Sequence, residues 1–189
     1  MAKLTALYDA CVLYPAPLRD TLMSLTQTGL FQARWSHMIH EEWIRNLLAN
    51  RTDLSRERLE RTRDKMNAAV RDCLVEGFEP LIETISLPDP NDRHVLAAAI
   101  RGRAGVIVTF NLKDFPRAHL EPYGIEAWHP DDFVGELLEM SEGKVCRALR
   151  EQRARLLNPP QSVEDLLGTL QAQGLAQSVA HLSKLADQL

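Results

Sequence analysis

The fold is decided by residues 87–116, LPDPNDRHVLAAAIRGRAGVIVTFNLKDFP, which combine a polar turn bounded by prolines, an apolar helical segment and a buried strand. Asp92 lies at the start of the predicted helix, and Asp114 follows the predicted strand. Open α/β sheets bind ligands at the carboxyl ends of their strands. An apolar core does not need carboxylates at these places, whereas a divalent cation does. We therefore interpret this stretch as half of a Mg²⁺ or Mn²⁺ site.

Two acidic residues from the N-terminal part of the chain supply the other half of the predicted site. Asp9 interrupts an apolar run from Leu4 to Leu13, as a ligand at the end of a buried strand would. Glu42 lies on a predicted helix for which Ser36 is the candidate N-cap. Clustered carboxylates repel one another unless a hard cation lies among them. The prediction depends on the four acids together. Taken alone, Asp92, Glu42 and Asp114 have ordinary explanations as a cap, a surface residue and a turn residue, whereas Asp9 indicates a functional role even alone because it interrupts a buried strand.

The size and composition indicate one domain with a small appendage. The chain has 189 residues, of which 45% are hydrophobic and 25% are charged. Its net charge of −4 means that nucleic-acid binding would need local basic patches or a metal. Three separated cysteines without a C-x-x-C motif argue against disulfides and a zinc knuckle. Because no apolar stretch approaches about 20 residues and no signal peptide is recognisable, we expect a cytoplasmic protein without a membrane partner.

Strand and helix signals alternate along the first part of the chain, which predicts an α/β fold on a central parallel sheet. The predicted strands are Leu4–Tyr8 with an apolar continuation to Leu13, Phe78–Ile85, Val106–Phe110 and Ile125–Trp128, whereas the connection Phe31–Trp35 is unassigned. After Met140 the pattern becomes helical and charged. We therefore divide the chain into a body of residues 1–140 and a C-terminal helical appendage of residues 141–189.

Four motifs in this order resemble those of PIN-domain ribonucleases, of the kind found as VapC-type toxins in toxin–antitoxin pairs. The segment YDACVL at residues 8–13 resembles the family's opening D-A-N-V-L, and SHMIHEEW at 36–43 resembles S-x5-E. The segment DRHVLAAA at 92–99 resembles D-x3-L-A-A-A, and VTFNLKDF at 108–115 resembles V-T-x-[DN]-x-x-D-F. The resemblance covers about residues 4–140. Its specificity comes from the order and spacing of the set.

The resemblance implies a three-layer α/β/α sandwich and a metal-dependent endoribonuclease. It implies that Asp9, Glu42, Asp92 and Asp114 bind one or two Mg²⁺ or Mn²⁺ ions and that the products carry 5′-phosphate and 3′-hydroxyl ends. Thr109 would orient a ligand or a water at the metal, and Ser36 would support the site. The expected partners are an RNA substrate, a cognate antitoxin protein and a second copy in a homodimer.

The chain departs from the family pattern at two positions. Cys11 stands where the family commonly has Asn, and we expect its side chain to point away from the metal. Asn111 stands where many members have a fourth Asp. Its carbonyl oxygen can still serve as a metal ligand while Asp114 provides the charge. This departure therefore bears on the number of metals.

Several basic residues lie near these motifs and are candidates for contacting RNA phosphates: Arg19, Arg45, Arg93, Lys113 and Arg117. The histidines at positions 37, 40 and 94 do not have a spacing that predicts metal ligation. A metal-assisted hydrolysis also needs no histidine as general base.

Two other functions stay open at this point. DACVLY and IVTFN resemble motifs of haloacid-dehalogenase-like hydrolases, but the second acid of their first motif is Cys11 here, and Glu42 and Asp92 would have no role. Alternatively, the PIN-like fold is a non-catalytic binding module in which the helical appendage docks a partner.

Overall fold

The computed structural model describes residues 3–189. Strands and helices alternate through the first part of the described chain, and only helices follow residue 130. The strands are β1 (Leu4–Tyr8), β2 (Phe31–Arg34), β3 (Val106–Val108) and β4 (Glu126–Trp128). The α-helices are α1 (Ala10–Leu13), α2 (Ala16–Thr26), α3 (His37–Asn50), α4 (Arg56–Ala69), α5 (Glu79–Ile82), α6 (Arg93–Arg101), α7 (Arg117–Leu120), α8 (Pro130–Arg155), α9 (Val163–Ala172) and α10 (Ala176–Leu182).

The four strands form one parallel sheet in the order β2-β1-β3-β4. Tyr8 at the end of β1 is in register with Val108 at the end of β3, and Val108 is in register with Trp128 at the end of β4. The residues that follow these strands therefore emerge at the same edge of the sheet. The prediction of an α/β fold on a central parallel sheet is confirmed, and β2 fills the segment that the sequence left unassigned.

The apolar run after β1 does not continue the strand. Asp9 accepts a hydrogen bond of 2.7 Å from the backbone N–H of Ala10, which makes it the N-cap of α1. Because β1 ends at Tyr8, the predicted position of Asp9 at the end of the first strand is confirmed, and the apolar residues after it form α1. The carboxylate that ends the strand also starts the next helix.

The predicted strand at Phe78–Ile85 is also wrong, because this segment forms α5. Pro80 lies in the first turn of α5, where its missing N–H needs no partner. The strand-like pairing lies upstream instead, where the N–H of Trp35 donates to the carbonyl of Cys73 at 3.0 Å and the N–H of Val75 donates to the carbonyl of Trp35 at 2.9 Å.

The alanine-rich segment forms α6 as predicted. Residues 95–99, VLAAA, are fully buried. Their small side chains allow this helix to pack closely within the core. This packing fixes Asp92, which directly precedes the helix, relative to the sheet.

The described chain forms two compact units. The first contains the residues up to Tyr14 and Phe31–Trp128, and the second contains Pro15–Leu30 and His129–Leu189. The sequence-based boundary between residues 140 and 141 stays a prediction; it falls inside α8 at Ser141, where the backbone leaves helical values (φ −169°, ψ 93°). No helix within residues 3–189 has the length and apolar composition that crossing a bilayer requires.

Candidate metal centre

Asp9 and Thr109 meet at the carboxyl ends of β1 and β3. The N–H of Asp9 donates to the carbonyl of Val108 at 3.1 Å, and the hydroxyl of Thr109 donates to Oδ2 of Asp9 at 2.7 Å. Asp9 is only 3% exposed. Burial raises the pKa of Asp9, whereas the hydrogen bonds from Thr109 and Cys11 lower it and the charge of Glu42 raises it. The hydrogen bonds from Thr109 and Cys11 therefore offset part of the effect of burial on the pKa of Asp9.

Cys11 belongs to this cluster, and the expectation that its side chain points away is wrong. Its thiol donates to Oδ2 of Asp9 at 3.2 Å and lies 3.3 Å from the hydroxyl of Thr109. The N–H of Phe110 donates to the sulfur at 3.3 Å. Burial, followed by the charge of Asp9, raises the pKa of Cys11 to about 12. Cys11 is thus a neutral thiol that supports Asp9.

Glu42 projects from α3, whose start is fixed by Ser36. The Ser36 hydroxyl is fully buried and accepts from the N–H of Ile39 at 3.2 Å, which confirms the predicted N-cap. Oε2 of Glu42 lies 3.0 Å from Nε2 of His94. A carboxylate oxygen can only accept, so Nε2 of a neutral His94 carries the hydrogen. The other ring nitrogen, Nδ1, is buried without a hydrogen-bond partner within residues 3–189.

The sequence missed the role of His94, because a spacing argument considers metal ligation only. The signal that could have found it is its position two residues after Asp92, at the start of a helix whose other face is buried. His94 holds a predicted metal ligand and is itself mostly buried.

Asp92 ends a 3₁₀ helix, Pro90–Asp92, and directly precedes α6. Its side chain makes no capping hydrogen bond; Asp89 instead accepts from the N–H of Asn91 at 2.9 Å. Burial, followed by the charges of the four neighbouring acids Asp9, Asp89, Asp114 and Glu42, raises the pKa of Asp92 to about 7. Asp92 is therefore the point at which the acidic side chains of the site interact, and Asp89 is a fifth acid that the sequence analysis did not include.

Asn111 directly precedes a 3₁₀ helix, Leu112–Asp114, after β3, and Asp114 is the last residue of that helix. The N–H of Asn111 donates to the Thr109 hydroxyl at 3.0 Å, which ties this loop to Asp9. The side chain of Asn111 is exposed and that of Asp114 is half-buried. Asp114 reaches the site through its charge on Asp92.

The acids are chemically suited to a hard divalent cation. They bring carboxylate oxygens from four separate segments into one electrostatic cluster, whose mutual repulsion a cation would relieve. Within residues 3–189, no three His, Cys, Asp or Glu side chains lie close enough to hold a metal ion as they stand. Carboxylate oxygens are the kind of ligand that Mg²⁺ and Mn²⁺ prefer. The acidic side chains would have to move closer together to coordinate such an ion.

The predicted RNA-contact residues differ in accessibility. Arg45 and Lys113 are exposed, and Arg117 is 87% exposed with an ion pair to Glu121 at 3.3 Å. Arg93 donates to the carbonyl of Pro90 at 3.1 Å. Arg19 is only 7% exposed and belongs to the second unit, so its guanidinium is not displayed for contact with RNA.

Comparison with known proteins gives two family matches. The model described as PIN domain matches residues 5–113, and the model described as VapC50 C-terminal domain matches residues 130–184. A curated protein of Mycobacterium tuberculosis named "Putative ribonuclease VapC50" is 46% identical over 97 residues. This match covers 51% of the present chain and 57% of that protein, so it spans little more than half of the relative's length. No solved structure gives a significant match.

Proposed function

Because this chain belongs to the PIN-domain family, we propose that it is a metal-dependent endoribonuclease that hydrolyses RNA phosphodiester bonds. The observation that carries the proposal is the raised pKa of Asp92, about 7, to which burial and four neighbouring acids contribute. Such a concentration of acidic groups is unfavourable in a metal-free protein and favours binding of a cation. The family assignment leaves the haloacid-dehalogenase-like alternative without support.

Asp9, Glu42, Asp92 and Asp114 would hold Mg²⁺ or Mn²⁺, with the carbonyl oxygen of Asn111 as a further donor. A bound divalent cation supplies Lewis-acid stabilisation of charge on the phosphate oxygens and a nucleophilic water near neutral pH. The protein contributes the placement of its own carboxylates. These four acids would act as both the metal-binding and the catalytic residues.

Thr109 and Cys11 orient Asp9 through hydrogen bonds of 2.7 and 3.2 Å to its Oδ2. His94 orients Glu42 through one carboxylate oxygen and leaves the other, Oε1, for a ligand. Hydrogen-bonded partners of this kind fix the geometry of metal ligands and are worth about 10- to 100-fold in metal affinity or activity.

The chain is also proposed to be the toxin of a toxin–antitoxin pair. This proposal is supported by the 46% identity to a protein named as a VapC50 ribonuclease and by the match of residues 130–184 to a domain described for VapC50. Its partners would be RNA, a cognate antitoxin and a second copy of the chain, and it would act in the cytoplasm. Residues 1–140 would form the nuclease domain and residues 141–189 its helical extension.

The proposal is tested with purified protein, end-labelled RNA and either Mn²⁺ or a chelator. We expect cleavage to 5′-phosphate and 3′-hydroxyl ends with Mn²⁺, none with the chelator, and at least a roughly hundredfold loss in the Asp9→Asn variant. Asp132→Asn, which removes an exposed acid of the second unit, serves as the matched control. Equal cleavage by wild type and Asp9→Asn would reject the mechanism, and intact RNA in every reaction would favour the non-catalytic binding module.

A further inference from the structure

A cleft of about 460 Å³ lies beside the candidate metal centre within the first unit. It is lined by side chains of α3 and of the segment around the start of α6: Met38, Glu41, Glu42, Arg45, Asn91 and His94. Its volume is within the range of about 300 to 1,000 Å³ that is usual for small-ligand sites. The Glu42–His94 pair is part of its wall, so a molecule in the cleft would lie next to the proposed reaction centre.

The charges in this cleft leave one cation available. Glu41 forms a two-point ion pair with Arg56, with Nη1–Oε2 and Nη2–Oε1 distances of 3.1 and 3.0 Å. Glu42 is directed to His94. Arg45 is exposed and forms no ion pair with any residue between 3 and 189, although its charge helps to lower the pKa of the nearby Glu41 carboxyl. An exposed guanidinium beside a phosphodiester-cleaving centre is suited to a phosphate group, which it can bind through two parallel hydrogen bonds.

Asn91 and Met38, which also line the cleft, are suited to a nucleobase. The side chain of Asn91 is exposed and makes no hydrogen bond within the described part of the chain. Its amide offers both donors and an acceptor, the combination that reads the edge of an unpaired base. Met38 adds an apolar, adaptable surface for the face of such a base.

We propose that this cleft binds the nucleotide next to the cleaved phosphodiester, with Arg45 on a phosphate and Asn91 on the edge of the base. The assignment rests on the proposed endoribonuclease function and adds a source of affinity and of base preference to it. Arg45 acts on every sequence alike because phosphate carries no sequence information, whereas Asn91 discriminates among bases.

The role of Arg45 is tested by RNA binding, which does not require cleavage. Fluorescence anisotropy with a labelled 12-nucleotide single-stranded RNA is measured in the Asp9→Asn background, with and without Arg45→Ala. We expect Arg45→Ala to bind the RNA about tenfold more weakly. The slope of log affinity against log salt concentration should become smaller in magnitude by about one. Arg61→Ala removes an exposed arginine of α4 outside the cleft and should change affinity less than twofold. Equal affinities for Arg45→Ala and Arg61→Ala would overturn the assignment.

The role of Asn91 is tested by cleavage of a short-RNA pool that is randomised around one bond. We expect Asn91→Ala to change the base preference at one position beside the cleaved bond by about fivefold or more. Asn46→Ala, which removes an exposed amide of α3 outside the cleft, should retain the wild-type preference. An unchanged preference in Asn91→Ala would reject the base contact.

The outcomes separate this inference from the function on which it rests. A wild-type protein that cleaves RNA while both cleft variants behave like their controls rejects only the cleft. A wild-type protein that cleaves nothing rejects the nuclease, and the anisotropy measurement still decides whether Arg45 binds RNA. Thermal unfolding of each variant verifies that its fold is intact.

Discussion

The hydroxyl of Thr109 donates a hydrogen bond of 2.7 Å to Oδ2 of Asp9, across 100 positions of sequence. The contact exists because β1 and β3 are neighbouring parallel strands whose ends are in register. The same hydroxyl accepts from the N–H of Asn111 at 3.0 Å. Thr109 therefore connects the most deeply buried acid of the site to the loop that carries Asn111.

Replacing Thr109 by Val should weaken the site while preserving its shape. The Asp9 carboxylate would lose a donor that lowers its pKa, so we expect Mn²⁺ affinity and RNA cleavage to fall about 10- to 100-fold. Thr109→Ser keeps the hydroxyl and should stay within about threefold of wild type. Titration calorimetry with Mn²⁺ and a cleavage assay check this, and equal behaviour of the Val and Ser variants would show that the hydroxyl has no such role.

Removal of the His94 ring should release Glu42. In His94→Ala, Oε2 of Glu42 loses its contact of 3.0 Å and the carboxylate gains rotational freedom. We expect about a tenfold loss of Mn²⁺ affinity, measured by calorimetry. His94→Gln can still donate a hydrogen bond and should recover part of the loss. Wild-type affinity in the Ala variant would show that Glu42 is held by other contacts.

Asp92→Asn should stabilise the metal-free protein above neutral pH. The pKa of Asp92 is raised to about 7 in the folded state, so the folded protein binds more protons than the unfolded chain between about pH 4 and 7. Stability therefore decreases as pH rises through this window, and the Asn variant avoids the loss. After allowance for solvent screening, we expect the free energy of unfolding of Asp92→Asn to exceed that of wild type by about 1 to 2 kcal/mol at pH 8.

This gain is measured by urea unfolding with a chelator present, and Asp132→Asn serves as the control for removing a charge. Addition of Mn²⁺ should make wild type more stable than Asp92→Asn, because wild type binds the ion and the variant binds it weakly. A metal-free Asp92→Asn protein that is less stable than wild type at pH 8 would contradict the electrostatic account.

His40 should make the protein less stable in mild acid. Its ring accepts from Trp43 Nε1 at Nδ1 (3.0 Å) and contacts Asn67 Oδ1 through Nε2 (2.9 Å). Burial lowers the pKa of His40 to about 4, so the unfolded chain binds more protons between about pH 6.5 and 4. The contribution of neutral His40 to the free energy of unfolding is complete above pH 6.5 and decreases as pH falls through this window.

Because of His40, the free energy of unfolding should decrease by on the order of 2 kcal/mol between pH 7 and 4.5. Because Asp92 has the opposite trend, the measurement is made in the Asp92→Asn background. His40→Gln in that background should be less stable at pH 7 but should lose less of its stability on acidification. An identical pH dependence with and without His40 would disprove this assignment.

Asp131 should be essential for the stability of the second unit. Its carboxylate accepts hydrogen bonds of 2.8 and 2.9 Å from the N–H groups of Gln177 and Ser178, and one of 2.6 Å from the Ser178 hydroxyl. It thus caps α10 from a different helix. We expect Asp131→Ala to cost about 2 to 3 kcal/mol of unfolding free energy. Far-UV circular dichroism during urea unfolding measures this loss, and the exposed neighbour Asp132→Ala should be nearly neutral. Superimposable curves would contradict the cap.

The sequence predicted the sheet because its strands are short, apolar and separated by helical patterns. These local patterns correspond to the strands and helices of the folded protein. It failed at Phe78–Ile85, which has the composition of a strand but contains the helix α5, with Pro80 in its first turn. This error comes from a short element, for which proline geometry outweighs the hydrophobic pattern.

For the candidate site, the sequence by itself determined which acids to consider, because Asp9, Glu42, Asp92 and Asp114 lie at element ends or in motifs whose order is visible in the chain. Only the tertiary structure decided their partners. The contacts Cys11–Asp9–Thr109 and His94–Glu42 depend on strand register and on the packing of α3 and α6, which bring together residues far apart in sequence. Spacing along a chain carries no information about such contacts, since they are set by long-range packing.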